Sequence, residues 1–175
     1  LADAYPLLIT SQSSLAALQN GQAELRKDVP ISMERFRPNV VVRGCHAFEE
    51  DCWRSLILEE ARYASQNHLH LHFVEPCSRC SVPDVDQTSG AVSPGGVTGT
   101  LKHLRNGRQS EEHLSRFPNP NAASAHMFRT QPTSTFFGAY AVASLSADLA
   151  ASNPAKLDTS EVWLQIGDKM LIDTP

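Results

Sequence analysis

The sequence predicts a mainly β domain with a few short helices, and three observations predict it. His68-Leu69-His70-Leu71-His72-Phe73-Val74 alternates strictly between polar and apolar residues, the period of a strand with one buried face. Val40-Val41-Val42 and Phe136-Phe137-Gly138-Ala139-Tyr140-Ala141-Val142 are β-branched and aromatic runs of strand length. Near the end of the chain, Val162 to Ile166 and Lys169 to Ile172 flank a Gly167-Asp168 pair, which reads as a tight hairpin.

Taken in order, Tyr5 to Thr10 is a short apolar run, and the Ser11 to Ser14 cluster then precedes Leu15, Ala16 and Leu18 at helical spacing. Gly21 is placed to stop that helix. Hydroxyls at a helix start cap its free amides, and the same end can hold a phosphate. Pro38 locks a turn before Val40, with Arg37 and Asn39 on either side of it. These two are either held rigidly toward a site or are a surface arginine and a turn asparagine. Val40 to Val42 reads as a buried strand ending at Gly44. Glu49-Glu50-Asp51, beside Cys52 and Trp53, reads as solvated acidic surface. The alternating run puts its three histidines on one face and Leu69, Leu71 and Phe73 on the other. From Gly90 to Gln131 the pattern dissolves into Gly, Pro, Ser and Asn, with one short helix expected over Thr100 to Asn106, Leu101 and Leu104 inward.

Composition bounds the function. A chain of 175 residues, 41% hydrophobic, buries one good core, so residues 1–175 are read as a single domain. The net charge of -4, with no concentrated basic face, excludes a nucleic-acid footprint. No apolar run approaches the roughly 20 residues a bilayer-spanning helix needs. The chain begins at Leu1 rather than Met, with no signal-like segment, and reads as a fragment or processed piece. Four irregularly spaced cysteines suit a reducing, intracellular compartment better than a disulfide scaffold. The sequence carries no internal repeat and no phosphate-loop, Rossmann or serine-nucleophile motif.

Pro76-Cys77-Ser78-Arg79-Cys80, with Asp86-Gln87-Thr88-Ser89-Gly90 close behind, carries the most chemistry. A thiolate takes soft or redox-active metals, and an adjacent guanidinium favours the thiolate and offers a planar fork for an anion. Three readings stand side by side. One is structural zinc, with His70 and His72 joining Cys77 and Cys80, although a second matching cysteine pair is missing. Another is thiol–disulfide exchange, without the strand–turn–helix context such proteins have. The last is one cysteine ligating a catalytic metal while its neighbours hold that metal's cofactor.

Six short pieces then occur in one order: Phe36-Arg37-Pro38-Asn39-Val40-Val41-Val42, Glu50-Asp51 with Trp53, Cys77-Ser78-Arg79-Cys80, Val85-Asp86 with Thr88 and Gly90, Phe137-Gly138-Ala139-Tyr140, and Ile166-Gly167-Asp168. Together they resemble the MOSC domain at the C-terminal end of molybdenum cofactor sulfurases and of the mitochondrial amidoxime-reducing component, and the Cys-Ser-Arg-Cys and Val-Asp pieces are more similar to the amidoxime-reducing branch. The resemblance covers nearly the whole chain.

The resemblance implies a β-barrel-like domain that binds a molybdenum-pterin cofactor, with Cys80 as metal ligand and catalytic residue. Ser78 and Arg79 then contact the pterin or its phosphate, Arg37 and Asn39 do so from the far side, and the helix start at Ser11 and Ser14 adds donors to the phosphate. Asp86 orients the metal loop or relays a proton. The implied activity is reduction of N-hydroxylated substrates such as amidoximes, with electrons from cytochrome b5 and its NADH-dependent reductase, in cytosol or mitochondria. The alternative is a non-catalytic cofactor-binding or carrier domain of a sulfurase, whose pyridoxal-phosphate domain lies upstream. Against the family pattern, an upstream β-rich domain that helps enclose the cofactor is missing, and the connection from Gly107 to Thr135 is long.

Overall fold

Alternation in the histidine-rich run builds the central strand as its period requires: Leu69 and Leu71 are buried while His72 is exposed. A computed structural model describes residues 4–25, 29–58, 69–145 and 170–173 of the chain. Within them the order is β1 (Leu7–Ser11), α1 (Gln12–Glu24), β2 (Val40–Val42), β3 (Ser55–Leu58), β4 (Leu69–Ser78), α2 (Val97–Leu104), α3 (Gly107–Leu114), α4 (Ala122–Thr130), β5 (Phe136–Leu145) and β6 (Met170–Asp173). The described strands form one six-stranded sheet in the order β2-β1-β5-β4-β3-β6. Only the β1–β2 pair is parallel among them. The sheet curls as a half-barrel, in keeping with the mainly β, barrel-like class expected.

Curling has a local cause where β4 meets β5. The register slips between Phe73 and Glu75 and again between Pro76 and Ser78, and each extra residue bends its strand and increases the local twist. Gly138 sits at the second slip with φ +78, and a Cβ there would lie 2.7 Å from Thr10 Cγ2 and 2.8 Å from the Ile9 carbonyl oxygen. Glycine alone meets both the left-handed backbone and the close approach of β1.

Adjacent residues of β5 serve different clusters. Phe137 packs with Leu18, Ile31, Phe36, Val97 and Leu101 under α1 and α2. Phe136 packs with Cys52, Leu114 and Phe128 under α3 and α4. A third cluster, Ile9, Trp53, Leu56, Leu69, Leu71 and Ala141, joins the strands themselves.

Several expectations are corrected. Helix α1 runs through Gly21 to Glu24, because at Gly21 the helix touches α2 so closely that any Cβ would overlap the Leu104 side chain. The helix expected from Thr100 starts earlier, at Val97, and Leu101 is fully buried while Leu104 is partly so. The stretch from Gly107 to Thr135, read as loop, holds α3 and α4, capped by Asn106 and Asn121. Strand β2 is an edge strand with Val41 exposed rather than a buried one. Glu50 and Asp51, read as surface, are buried. Of the C-terminal hairpin, β6 lies antiparallel to β3; its first strand and Gly-Asp turn fall outside the described residues.

Candidate functional site

The end of β4 divides the two cysteines of the Cys-Ser-Arg-Cys motif. Cys77 is still on the strand and buried with Leu8 and Tyr140, whereas Cys80 lies past the strand end and is exposed. Arg79 between them turns inward. One guanidinium nitrogen donates to Cys77 Sγ at 3.0 Å and another to the Phe36 carbonyl oxygen at 2.9 Å. The group also lies over the Phe36 ring, 5.5 Å from its centroid, and that ring stacks on Phe137. Arg79 is further fixed by its amide, which donates to the Thr135 carbonyl oxygen at 2.8 Å.

Arg79 thereby ties the thiol loop to the 3-10 turn Met33–Phe36, and the residue after each bonded partner, Cys80 and Arg37, is exposed. Arg37 holds a left-handed backbone with φ 54. Beyond Pro38, Asn39 clasps β1: its side-chain oxygen accepts from the Leu8 amide at 2.8 Å, and its own amide donates to the Leu8 carbonyl oxygen at 2.9 Å. The Ser78 side chain is exposed.

A second tie comes from Arg35, which sequence reasoning missed. Its buried guanidinium donates to the Pro83 carbonyl oxygen at 3.1 Å and to Asp86 Oδ2 at 2.9 Å. The other Asp86 oxygen accepts from the Thr88 and Ser89 amides and the Ser89 hydroxyl. The Ser89 amide and hydroxyl, then the Thr88 amide and Arg35, hold the Asp86 carboxyl below the usual carboxylate range. Asp84, also missed, takes the Gly95, Val97 and Thr98 amides and the Thr98 hydroxyl, and so caps α2 from a distance. Burial would raise its pKa, but these bonds outweigh burial and lower it. No local pattern announces either pairing, since the partners of Arg35 and Asp84 lie far along the chain.

The start of α1 is polar and closed. Ser11 Oγ accepts from the Ser14 amide at 3.0 Å, and Ser14 Oγ lies 2.7 Å from Ser11 Oγ and 2.8 Å from Glu50 Oε2. The Phe48 amide donates to Ser14 Oγ at 2.7 Å. Ser11 and Ser14 are fully buried, so both hydroxyls face an internal network. Beside it, Arg105 donates to Asp51 at 2.6 Å with both side chains buried. Burial pushes the Asp51 carboxyl up, and the Arg105 charge opposes it.

The structure thus gathers Arg37, Arg79, Cys80 and Asp86 around two arginine ties, while Ser11 and Ser14 belong to a separate buried network. The zinc reading fails: among the described residues no group of three or more His, Cys, Asp or Glu side chains is placed to hold a metal. All four cysteines are free thiols.

An exposed thiol beside an inward-clamped arginine, on a curled sheet closed by short helices, defines a class. The chain belongs to the MOSC domain family, whose model matches residues 1–170. It is similar to the mitochondrial amidoxime reducing component 2 of Homo sapiens, 36% identical over 112 residues, which are 64% of this chain and 30% of that protein. Mitochondrial amidoxime-reducing component 1 of Homo sapiens is 34% identical over 113 residues, 65% of this chain and 30% of that protein. The molybdenum cofactor sulfurase of Oryza sativa subsp. japonica is 31% identical over 90 residues, 49% of this chain and 10% of that protein. The chain therefore spans less than a third of the length of these relatives. No helix among the described residues is long and apolar enough to cross a membrane.

Proposed function

We propose that this domain is the molybdenum-cofactor-binding part of an oxidoreductase that reduces N-hydroxylated substrates such as amidoximes, with Cys80 as the protein's sulfur ligand to the metal. The observation that carries the proposal is the division of the motif into a buried, arginine-bonded Cys77 and an exposed Cys80. Only the second thiol is presented to a ligand. The donor set suits the cofactor: a soft thiol for the metal, the exposed Arg37 guanidinium and Ser78 hydroxyl for its anionic and polar groups, and Arg79 Nε, a buried donor without a partner among the described residues.

When bound, the cofactor supplies two-electron chemistry at the metal coupled to gain or loss of an oxo group, and the protein supplies position and electrostatics. Cys80, exposed past the end of β4, would hold the metal. Arg79 keeps that loop against Phe36 and brings Arg37 alongside. Asp86, its oxygens already taken by Arg35, Thr88 and Ser89, orients the neighbouring loop; of the two functions considered for it, this arrangement favours orienting over proton relay. Asn39 sets the strand entry that aims Arg37. Ser11 and Ser14 use their hydroxyls within the buried network and act only by shaping the start of α1. Reduction of an N–OH group consumes two electrons and two protons and releases water. The electrons are proposed to come from cytochrome b5 and its NADH-dependent reductase, as the family resemblance implies, and the setting to be mitochondrial, as the names of the similar human proteins suggest.

The test is metal analysis and amidoxime reduction, with an artificial electron donor, on the full-length protein. Cys80→Ser is expected to lose molybdenum and turnover, and Cys77→Ser to keep more of both. Full metal content and activity in both variants would refute the ligand assignment. Similarity to the rice sulfurase favours a second reading, a domain that holds the cofactor without turnover; molybdenum bound through Cys80 with no amidoxime reduction is its signature.

A further inference from the structure

Glu50 is a carboxyl group that the proposed chemistry does not use, and its surroundings are unusual. It is 2% exposed, and its Oε1 has no hydrogen-bond partner among the described residues. Among the described residues, several charged or titratable groups lie around it. From its own turn come Asp51, which adds like charge, and Glu49, whose carboxylate turns back to the His46 amide. After α2 comes Arg105, whose guanidinium is bonded to Asp51. From α3 comes His113, bonded to the Ala47 carbonyl oxygen, and from the loop after β2 comes Cys45. Among the described residues Arg105 is the cation that acts on Glu50 and favours its ionised form, but its bond goes to Asp51 and none reaches Glu50. An ionised form would bury a charge on an unpartnered oxygen, whereas a protonated form carrying its hydrogen on Oε2 donates it straight to Ser14 Oγ.

The chain of hydroxyls behind Glu50 has two complete arrangements on the same heavy atoms. Ser14 Oγ always accepts from the Phe48 amide, so it has one lone pair and one hydrogen to place. With Glu50 protonated, the carboxylic acid donates to Ser14, Ser14 donates to Ser11, and the Ser11 hydrogen is free to turn toward Cys45, whose pKa the Ser11 hydroxyl lowers against burial. With Glu50 ionised, its proton has gone to solvent, Ser14 donates to Glu50, Ser11 donates to Ser14, and Cys45 loses its donor. We propose that Glu50 is a proton-binding site whose occupancy reverses the hydrogen-bond direction along Glu50–Ser14–Ser11 and so controls the thiol of Cys45. Burial and the Asp51 charge raise the Glu50 pKa to about 7, which puts the switch in the physiological range. Cys45 is partly exposed, so its state is open to a solution reagent.

The inference shares Ser11 and Ser14 with the proposed function but concerns neither Cys80 nor the metal, and it is tested on the full chain without turnover. Infrared spectra recorded across about pH 5 to 9 report protonated carboxylic acids as they titrate, and site-resolved mass spectrometry reports alkylation of Cys45 over the same range. In the wild type, an acid band should disappear near neutrality, and Cys45 alkylation should rise less steeply with pH than a simple thiol titration. Glu50→Gln, whose amide donates to Ser14 permanently, should lack the band and alkylate faster above neutrality, by roughly tenfold for each unit by which the thiol pKa falls. Ser11→Ala should keep the band and reduce the neutral inflection at Cys45 to the part that the Glu50 charge produces directly, and it serves as the second probe if Glu50→Gln does not fold. The proposal is overturned if no acid band titrates near neutrality, or if the Cys45 profile is the same in wild type, Glu50→Gln and Ser11→Ala.

Discussion

Arg35 and Asp86 stand 51 residues apart in the chain and meet at 2.9 Å, with Arg35 buried and Asp86 at the edge of solvent. The pair fastens the 3-10 turn before β2 to the loop after Cys80. Replacing Arg35 with Met keeps most of the packing volume but removes the bonds to Asp86 and Pro83. Asp86 stands at the edge of solvent, where screening weakens the pair, so the expected loss is modest. Arg35→Met should therefore unfold at lower denaturant concentration and be cut by protease between Gln87 and Gly90 sooner than wild type. If loop order matters to the metal, molybdenum retention in the full-length protein falls further than stability does.

Arg79 asks for a planar fork rather than a point charge. It reaches Cys77 Sγ and the Phe36 carbonyl oxygen with different nitrogens while lying over an aromatic ring. Lysine carries one compact ammonium on a flexible stem and cannot span both acceptors and stack at once. Arg79→Lys should cost about 1–2 kcal/mol in chemical denaturation, despite keeping the charge. Thiol labelling of Cys77 should become measurable under native conditions, while labelling of the already exposed Cys80 changes little.

Gly138 tests the curl of the sheet. Alanine there must hold φ +78, which costs about 1–2 kcal/mol for a residue with a Cβ, and must also displace Thr10 and the Ile9 carbonyl. Overpacking adds about 1–3 kcal/mol. Gly138→Ala is expected to lower the unfolding midpoint more than Gly44→Ala, since Gly44 has a similar positive φ with open space around it. Equal losses at the two positions would show that backbone strain alone matters.

What the sequence made legible follows from the range of each interaction. Period-2 alternation exposed β4, and aromatic runs exposed β5, because a strand's burial pattern is written in consecutive residues. The Ser11 cap was legible for the same reason, its partner being Ser14. Helices α3 and α4 were lost in a stretch rich in Gly, Pro and Asn, where Asn106 and Asn121 proved to be caps rather than loop residues. Glu50-Asp51 was misread as surface because the cation that lets Asp51 be buried, Arg105, is 54 residues away. Of the site, motif order pointed to Cys80, Arg37 and Arg79. Arg35 and Asp84 carry no such signal, since each holds atoms that only folding brings near.

Glu50 should make this domain more stable in mild acid than its other carboxylates would. Its folded pKa, about 7, lies above its ordinary 4.5. Below 4.5 both folded and unfolded chains carry the proton, and the contribution of Glu50 is fully present. As pH rises toward 7 the unfolded chain releases the proton first, so that contribution is lost, in total on the order of 3 kcal/mol at 1.36 kcal/mol per unit. Asp84 and Asp86, with lowered values, act in the opposite sense: their stabilisation is present above the ordinary aspartate pKa and lost as pH falls through their folded values. Asp51, also raised by burial, acts in the same sense as Glu50, and His113, lowered by burial, acts in the opposite sense, so the share of Glu50 is read as the difference between wild type and Glu50→Gln. Glu50→Gln, which has no proton to lose and keeps a donor for Ser14, should remove that share of the slope between about pH 5 and 7 and exceed the wild type in stability at pH about 8. Denaturation curves of the two proteins across the window measure it directly: parallel curves would mean that Glu50 is ionised throughout, paired by a group that the folded chain brings close.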